Sequence, residues 1–176
     1  MHALGVCTWT LGPLPLPEIL ARVRRLGFSG VELLGDLENL TTTAVRNLLI
    51  QEDLAVYSLT PANVDLAHPE PAVRGVALDY YRRLLDFAAE LGGPKVSCHG
   101  AMGRVAPHMN IEEPSPAAAI LEVGPHLGLF HLADSNRLGL GHGHTDFAAL
   151  LGALRQVDYR GPLILFVKPG NYTPLI

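Results

Sequence analysis

Cysteine is almost missing from this chain: 176 residues contain two, Cys7 and Cys98. Two isolated cysteines cannot form a disulfide framework or a thiolate zinc site. Each falls in an expected strand, where a buried free thiol is the plain reading. Charge is sparse as well, at 17% of residues, with a net charge of −4 and a pI near 6.0. That balance excludes the basic face of a general nucleic-acid binder. Arg22, Arg24 and Arg25 do cluster, but on one expected helix, as a solvated face. No apolar run approaches the ~18 residues of a membrane span. The opening MHALGVCTWTLG lacks the basic flank and long apolar stretch of a signal peptide, so cytoplasmic residence is the default expectation. The glycines of GLGHG do not follow the dinucleotide pattern and no phosphate-cradling lysine follows them, which argues against nucleotide binding.

What the chain does have is apolar content, 48% with a mean hydropathy of +0.23. That is enough for one domain, residues 1–176, with a substantial core. Strand and helix patterns alternate along it. The β-rich LGVCTWTLG (4–12) precedes an amphipathic helix, EILARVRRLGF, which Gly27 should end. GVELLG (30–35) comes next, then a helix capped within Thr41–Thr43, then LAVYSLTP (54–61). The longest helix, VRGVALDYYRRLLDFAAELGG, leads to KVSCHG (95–100). Four strands alternating with three helices predict right-handed βαβ units and a parallel sheet. The rhythm breaks after Gly100: one helix, Pro116 to Val123, has no strand directly before it. It resumes with GLFHLAD, a helix over 146–157 and a last strand, GPLILFV (161–167).

The stretch from Gly128 to Phe147, GLFHLADSNRLGLGHGHTDF, concentrates the chemistry. A short apolar strand ends in His131, Asp134, Asn136 and Arg137; a glycine-rich loop follows, and Thr145 or Asp146 caps the next helix. In a parallel α/β protein, reactive side chains gather at that carboxyl end of the strands.

The motifs GVCTWTLG, LGFSGVEL, HG after the fourth strand, HMNIEE, FHLADSNR, GHGHTDF and GPLIL followed by FVKPG occur in one order across nearly the whole chain. Together they resemble the sugar-phosphate isomerase/epimerase group of xylose-isomerase-like TIM barrels, related in fold to endonuclease IV. HMNIEE with HLADSNR is specific, whereas LGFSGVEL alone could belong to any βα repeat. The resemblance implies a (β/α)₈ TIM barrel, which needs eight strands and typically ~250 residues. About strands 5 and 6 are missing between Arg104 and His108. With them go a metal-binding glutamate and an aspartate that the family places there. At the eighth strand Leu165 runs straight into Phe166, with no acid where the family has a glutamate. Deleting two strands would expose two sheet edges and open the core. Either the gene encodes a shortened barrel or an internal segment of a longer one is left out of these 176 residues, and the exposed edges favour the second.

The resemblance implies His131 as a metal ligand, with a strand-end hydrogen bond as the bland alternative, and His108 as a substrate contact beside the metal. Arg137 is suited to sugar hydroxyls or a phosphate, or is an exposed loop arginine. Glu32, inside the apolar VELL, would be costly unpaired. It belongs to a polar network at the barrel mouth or pairs with a structural arginine, the network being favoured. His99 is a pocket candidate on the same ground. Trp9 either covers the sugar's apolar face or packs in the core. Glu113 (or its neighbour Glu112) would hold a hydroxyl or buttress His108, or is simply solvated. Asp134 and His144 are expected to support these groups rather than bind metal. The implied cofactor is a divalent metal, Mn, Mg, Co or Zn. It would serve an isomerase or epimerase that moves a proton beside the carbonyl of a small sugar. Two rivals remain: a metal-dependent dehydratase of an inositol-derived ketone, and a degenerate barrel that binds a sugar or partner without turnover. The expected partner is a small sugar, with neither nucleic acid nor membrane, and the sequence leaves room for a homo-oligomer.

Overall fold

A computed structural model describes residues 2–98 and 114–168. Its elements run in the expected alternation: β1 (Leu4–Cys7), α1 (Leu16–Arg25), β2 (Gly30–Gly35), α2 (Thr42–Glu52), β3 (Ala55–Pro61), α3 (Pro71–Glu90) and β4 (Lys95–Val96). After the undescribed stretch come α4 (Pro116–Val123), β5 (Phe130–Leu132), α5 (Phe147–Gln156) and β6 (Leu163–Leu165). All pairings are parallel, in the order β4-β3-β2-β1-β6-β5. Among the described residues β4 and β5 are the two edges, as an incomplete barrel requires. The expected gap between Arg104 and His108 lies outside the described residues.

Period-2 alternation sends one face of each strand to the helices. Val6 and Val31 bury against Ile19, Leu20 and Val23 of α1. Leu33 and Leu59 pack on Val45, Leu84 and Phe87. Phe130 and Leu163 pack on Ile120, Leu150 and Leu154. A fully buried aliphatic side chain such as Leu20 or Leu84 contributes roughly 1.5–3 kcal/mol. The opposite, inward faces are the ones that carry polar groups. There Gly5 and Gly30 pair in register, and a Cβ on either would collide with the Tyr57 ring. Tyr57 reaches them because β3 bulges: Val31 pairs with Val56 but Glu32 with Ser58, so Tyr57 is the extra residue.

The sheet is strongly curled. Three strand spacings separate β2 from β5, roughly 14 Å in a flat sheet. Yet the side chains of Glu32 on β2 and His131 on β5 touch at 2.5 Å.

Two local expectations need correction. The first strand stops at Cys7, and Thr8–Leu11 form a 3₁₀ turn. Its buried hydroxyls tie it to neighbouring strand ends: Thr8 Oγ1 accepts from the Leu34 amide and Thr10 Oγ1 donates to the Val167 carbonyl. Cys98 is exposed beyond the short β4 rather than buried in a strand. The caps follow the sequence, with Thr41 and Asp146 accepting from the third residue onward. No helix among the described residues is long and apolar enough to cross a membrane.

Candidate active site at the carboxyl ends of the strands

The inward positions of β1, β2, β3 and β5 converge on Glu32. The carboxylate is fully buried. It accepts from Ser58 Oγ at 2.9 Å, from Thr60 Oγ1, and from His131 Nε2 at 2.5 Å. Burial by itself would raise its pKa. The hydrogen bond and charge of His131, with the hydroxyls of Thr60 and Ser58, outweigh burial and hold the carboxyl below its usual value. Ser58 and Thr60 stand two apart on β3 and therefore face the same way. Neither stands out in the sequence as a site residue, although the alternation in YSLTP sets both on one face.

Nε2 faces the carboxylate and donates to it, so that whenever the ring is uncharged the lone pair lies on Nδ1. The ring is partly exposed, at 38%, whereas Glu32 beneath it is sealed. Phe166 stacks on this imidazole, with centroids 5.7 Å apart, and meets Trp9 edge-on at 6.1 Å. Arg137 lays its guanidinium over the same ring at 5.5 Å. Its backbone takes a left-handed conformation (φ 58°), rare for a non-glycine residue, and its carbonyl accepts from the Lys168 amide. The structure thus gathers Trp9, Arg137 and His131 around Phe166, a residue the sequence reading noted only for lacking an acid.

Asp134 sits at the base of the next loop and is buried. One carboxylate oxygen accepts from the amides of Gly141 and Gly143 (2.9 and 2.8 Å), the other from those of Ser135 and Thr145 (2.7 and 3.2 Å). Burial would raise its pKa, but the amides of Gly143, Ser135 and Thr145 win and hold it well below the carboxylate range. A Cβ on Gly143 would overlap the Asp134 carboxylate, so glycine is required for the wrap. His144 is exposed and hangs from this loop, its amide donating to Ser135 Oγ at 2.9 Å. Between β5, an edge among the described strands, and the starts of α4 and α5 opens a cleft of about 580 Å³, lined by His131, Ser135, His144 and Phe166 among others. His99, His108 and Glu113 lie outside the described residues.

A metal fits here in part. Cys7 Sγ, a Glu32 oxygen and a His131 nitrogen lie within 4.8 Å of one another. Glu32 is already committed to three donors, and burial plus the Glu32 charge push the Cys7 thiol up, keeping it protonated. For a hard divalent ion the described residues offer one ready ligand, His131, oriented from behind by a carboxylate as metal-binding histidines usually are. Among the described residues no further carboxylate joins this group to complete the shell of such an ion.

Residues 20–107, half of the chain, match the family model of the xylose isomerase-like TIM barrel. An L-ribulose 3-epimerase of Methylomonas sp. (strain DH-1) is 50% identical over 56 residues, 32% of this chain and 20% of that protein. A D-psicose 3-epimerase of Enterocloster bolteae is 37% identical over 99 residues, 55% of this chain and 32% of that protein. The matches thus span between a fifth and a third of the length of these curated relatives. In three dimensions the chain is similar to a Methylomonas sp. D-allulose 3-epimerase solved with D-allulose: TM-score 0.81, 20% identity, covering 97% of this chain and 86% of that one. It is also similar to an E. coli 3-keto-D-glucoside 4-epimerase: TM-score 0.84, 19% identity, covering 99% and 95%. At these identities the likeness establishes the fold.

Proposed function

Because the chain belongs to the xylose isomerase-like TIM barrel family, we propose that it is a divalent-metal-dependent epimerase of a small ketose. The fold is an α/β TIM barrel, incomplete across the described residues. In this reading residues 1–176 form one domain, the enzyme works in the cytoplasm, and its partner is a sugar rather than a nucleic acid or a membrane. The observation that carries the reading is the His131–Glu32 pair beside an aromatic wall at the carboxyl ends of the strands. The 3-epimerase relatives direct attention to ketoses such as L-ribulose and D-psicose.

Glu32 holds His131 in one tautomer, so that Nδ1 serves as the ligand nitrogen for Mn²⁺, Mg²⁺, Co²⁺ or Zn²⁺. When bound, such an ion polarises neighbouring carbonyl and hydroxyl oxygens and so acidifies the C–H between them. Phe166 and Trp9 offer the apolar surface for the carbon face of a sugar, and Arg137 offers fixed donors to its hydroxyls. The proton itself needs carboxylates. Of those nearby, Asp134 is consumed by loop amides and Asp146 by the cap of α5. The transferring groups in this reading are the fifth- and eighth-strand glutamates that these 176 residues do not contain; Glu113 would hold a hydroxyl or buttress His108, and His108 and His99 would be further sugar contacts.

The test is solvent exchange. With saturating Mn²⁺ or Co²⁺ in D₂O, deuterium should enter at the carbon beside the carbonyl of L-ribulose or D-psicose, read by NMR, together with the epimer. Absence of exchange across a panel of ketoses would overturn the epimerase and leave a sugar-binding barrel without turnover. Intact mass of the protein purified from its source adds a second check. A value near the ~28 kDa of a ~250-residue barrel would supply the missing carboxylates; 18.9 kDa would leave His131 without them.

A further inference from the structure

Cys7 plays no part in the reaction proposed above, yet it is buried at the end of β1 directly against the Glu32–His131 pair. The β1–β2 register pairs Cys7 with Glu32, so both side chains leave the sheet on its inner face, and the curl brings His131 to the same point. We propose that Cys7 Sγ, a Glu32 oxygen and His131 Nε2 form a thiophilic metal site below the mouth, taking Zn²⁺ or its heavier analogue Cd²⁺.

The geometry is close to what zinc needs. Bonds of about 2.0–2.3 Å in a tetrahedron set ligand atoms roughly 3.3–3.7 Å apart. The three atoms here already lie within 4.8 Å of one another. The widest pair must close by about 1 Å and the Glu32–His131 contact, 2.5 Å without an ion, must open by about as much, shifts that His131, partly exposed at the rim, can supply. The chemistry selects the ion class. A sulfur ligand favours Zn²⁺ or Cd²⁺ over Mg²⁺ or Mn²⁺. Charge favours it too: a thiolate and a carboxylate, both with side chains sealed from water, are neutralised by one divalent cation. On binding, the sulfur lone pair goes to the metal as the S–H proton leaves to solvent. The Nε2 proton gives way to the ion and the ring carries its proton at Nδ1; nothing is oxidised or reduced. Three protein ligands leave a fourth position for water.

The site shares His131 with the epimerase reading and excludes the ion proposed there, since Nδ1 carries the ring proton here and the lone pair there; it is tested without substrate, so its failure leaves that reading untouched. Cys98, the other thiol, is exposed and is removed first as Cys98→Ser. That protein, titrated with Cd²⁺ alone, should bind one equivalent and develop the ultraviolet thiolate-to-cadmium charge-transfer band. Cys7→Ser added to it should abolish the band. Glu32→Gln and His131→Ala should each weaken Cd²⁺ binding by about tenfold or more, and circular dichroism will report that the fold is kept. His131→Ala, at the exposed rim, is the variant least able to perturb the core. A band that never forms, that survives Cys7→Ser, or that is indifferent to His131→Ala would overturn the site.

Discussion

Two buried carboxylates lie at the same end of the sheet, both with depressed pKa values, and they are held in opposite ways. Asp134 is gripped by four backbone amides from its own loop. Glu32 is held by side chains from two other strands, Ser58, Thr60 and His131. Backbone donors cannot be exchanged without remaking the loop, so Asp134 is an organiser: it folds GLGHGHT over itself and sets the start of α5. Side-chain donors can move, and one of them, His131, is partly exposed. Glu32 is therefore coupled to whatever the imidazole binds. Equal burial and equal charge carry different roles because the partners differ.

The comparison can be broken in several places. The largest effect expected is on the exposed side of the Glu32 pair. In the proposed enzyme His131→Ala should lower turnover on the order of 10³-fold, about 4 kcal/mol of barrier, with about 1 kcal/mol of stability lost because the buried Glu32 keeps only its two hydroxyl donors. Full turnover in that variant would remove His131 from the site. Asp134→Ala should do the reverse and cost about 3 kcal/mol of stability, because several loop donors lose a charged acceptor. Hydrogen exchange at the Gly141, Gly143 and Thr145 amides should accelerate with it; unchanged protection there would refute the organiser role. Glu32→Gln comes next. It should weaken metal binding about 10- to 100-fold while costing only about 1 kcal/mol in unfolding. A stability loss larger than that of Asp134→Ala would erase the distinction.

Acid offers a subtler measure. Asp134 has its folded pKa depressed, so its stabilisation is fully present above the ordinary carboxylate value, about 3.9. It is lost as pH falls through the lower folded value. Between pH 7 and pH 2 the wild type should lose stability more steeply than Asp134→Asn, as followed by thermal unfolding. Parallel curves would show that the carboxylate's charge contributes nothing. The smallest effect belongs to the aromatic wall: Phe166→Leu should cost about 0.5–1.5 kcal/mol from lost stacking on His131 and Trp9. Sugar affinity should fall with it, by calorimetry.

Much of the fold was legible because it is local. The apolar periods of EILARVRRLGF and YYRRLLDFAAEL, the Thr41 and Asp146 caps and the short apolar strands each specify an element without reference to the rest. The candidate site was legible in part. The family resemblance pointed to His131 and the cost of an unpaired carboxylate inside VELL to Glu32, and the preference for a polar network over a structural arginine agrees with the partners Glu32 has. The alternation in YSLTP sets Ser58 and Thr60 on one face without naming their partner, and Phe166 and Cys7 were invisible as site residues. Their relevance comes from contacts between strands, which no local pattern encodes. The β3 bulge at Tyr57, likewise, is a property of pairing rather than of the peptide.

The sequence by itself determined the alternation of strand and helix, the faces that bury, and a histidine and a glutamate at strand ends, since these follow from periodicity and desolvation cost. Tertiary structure alone decided that the two meet. Three strand spacings separate β2 from β5, and only the curl of the sheet closes that distance to 2.5 Å. The same curl makes a buried carboxylate the partner of an exposed imidazole and sets a cysteine beside both.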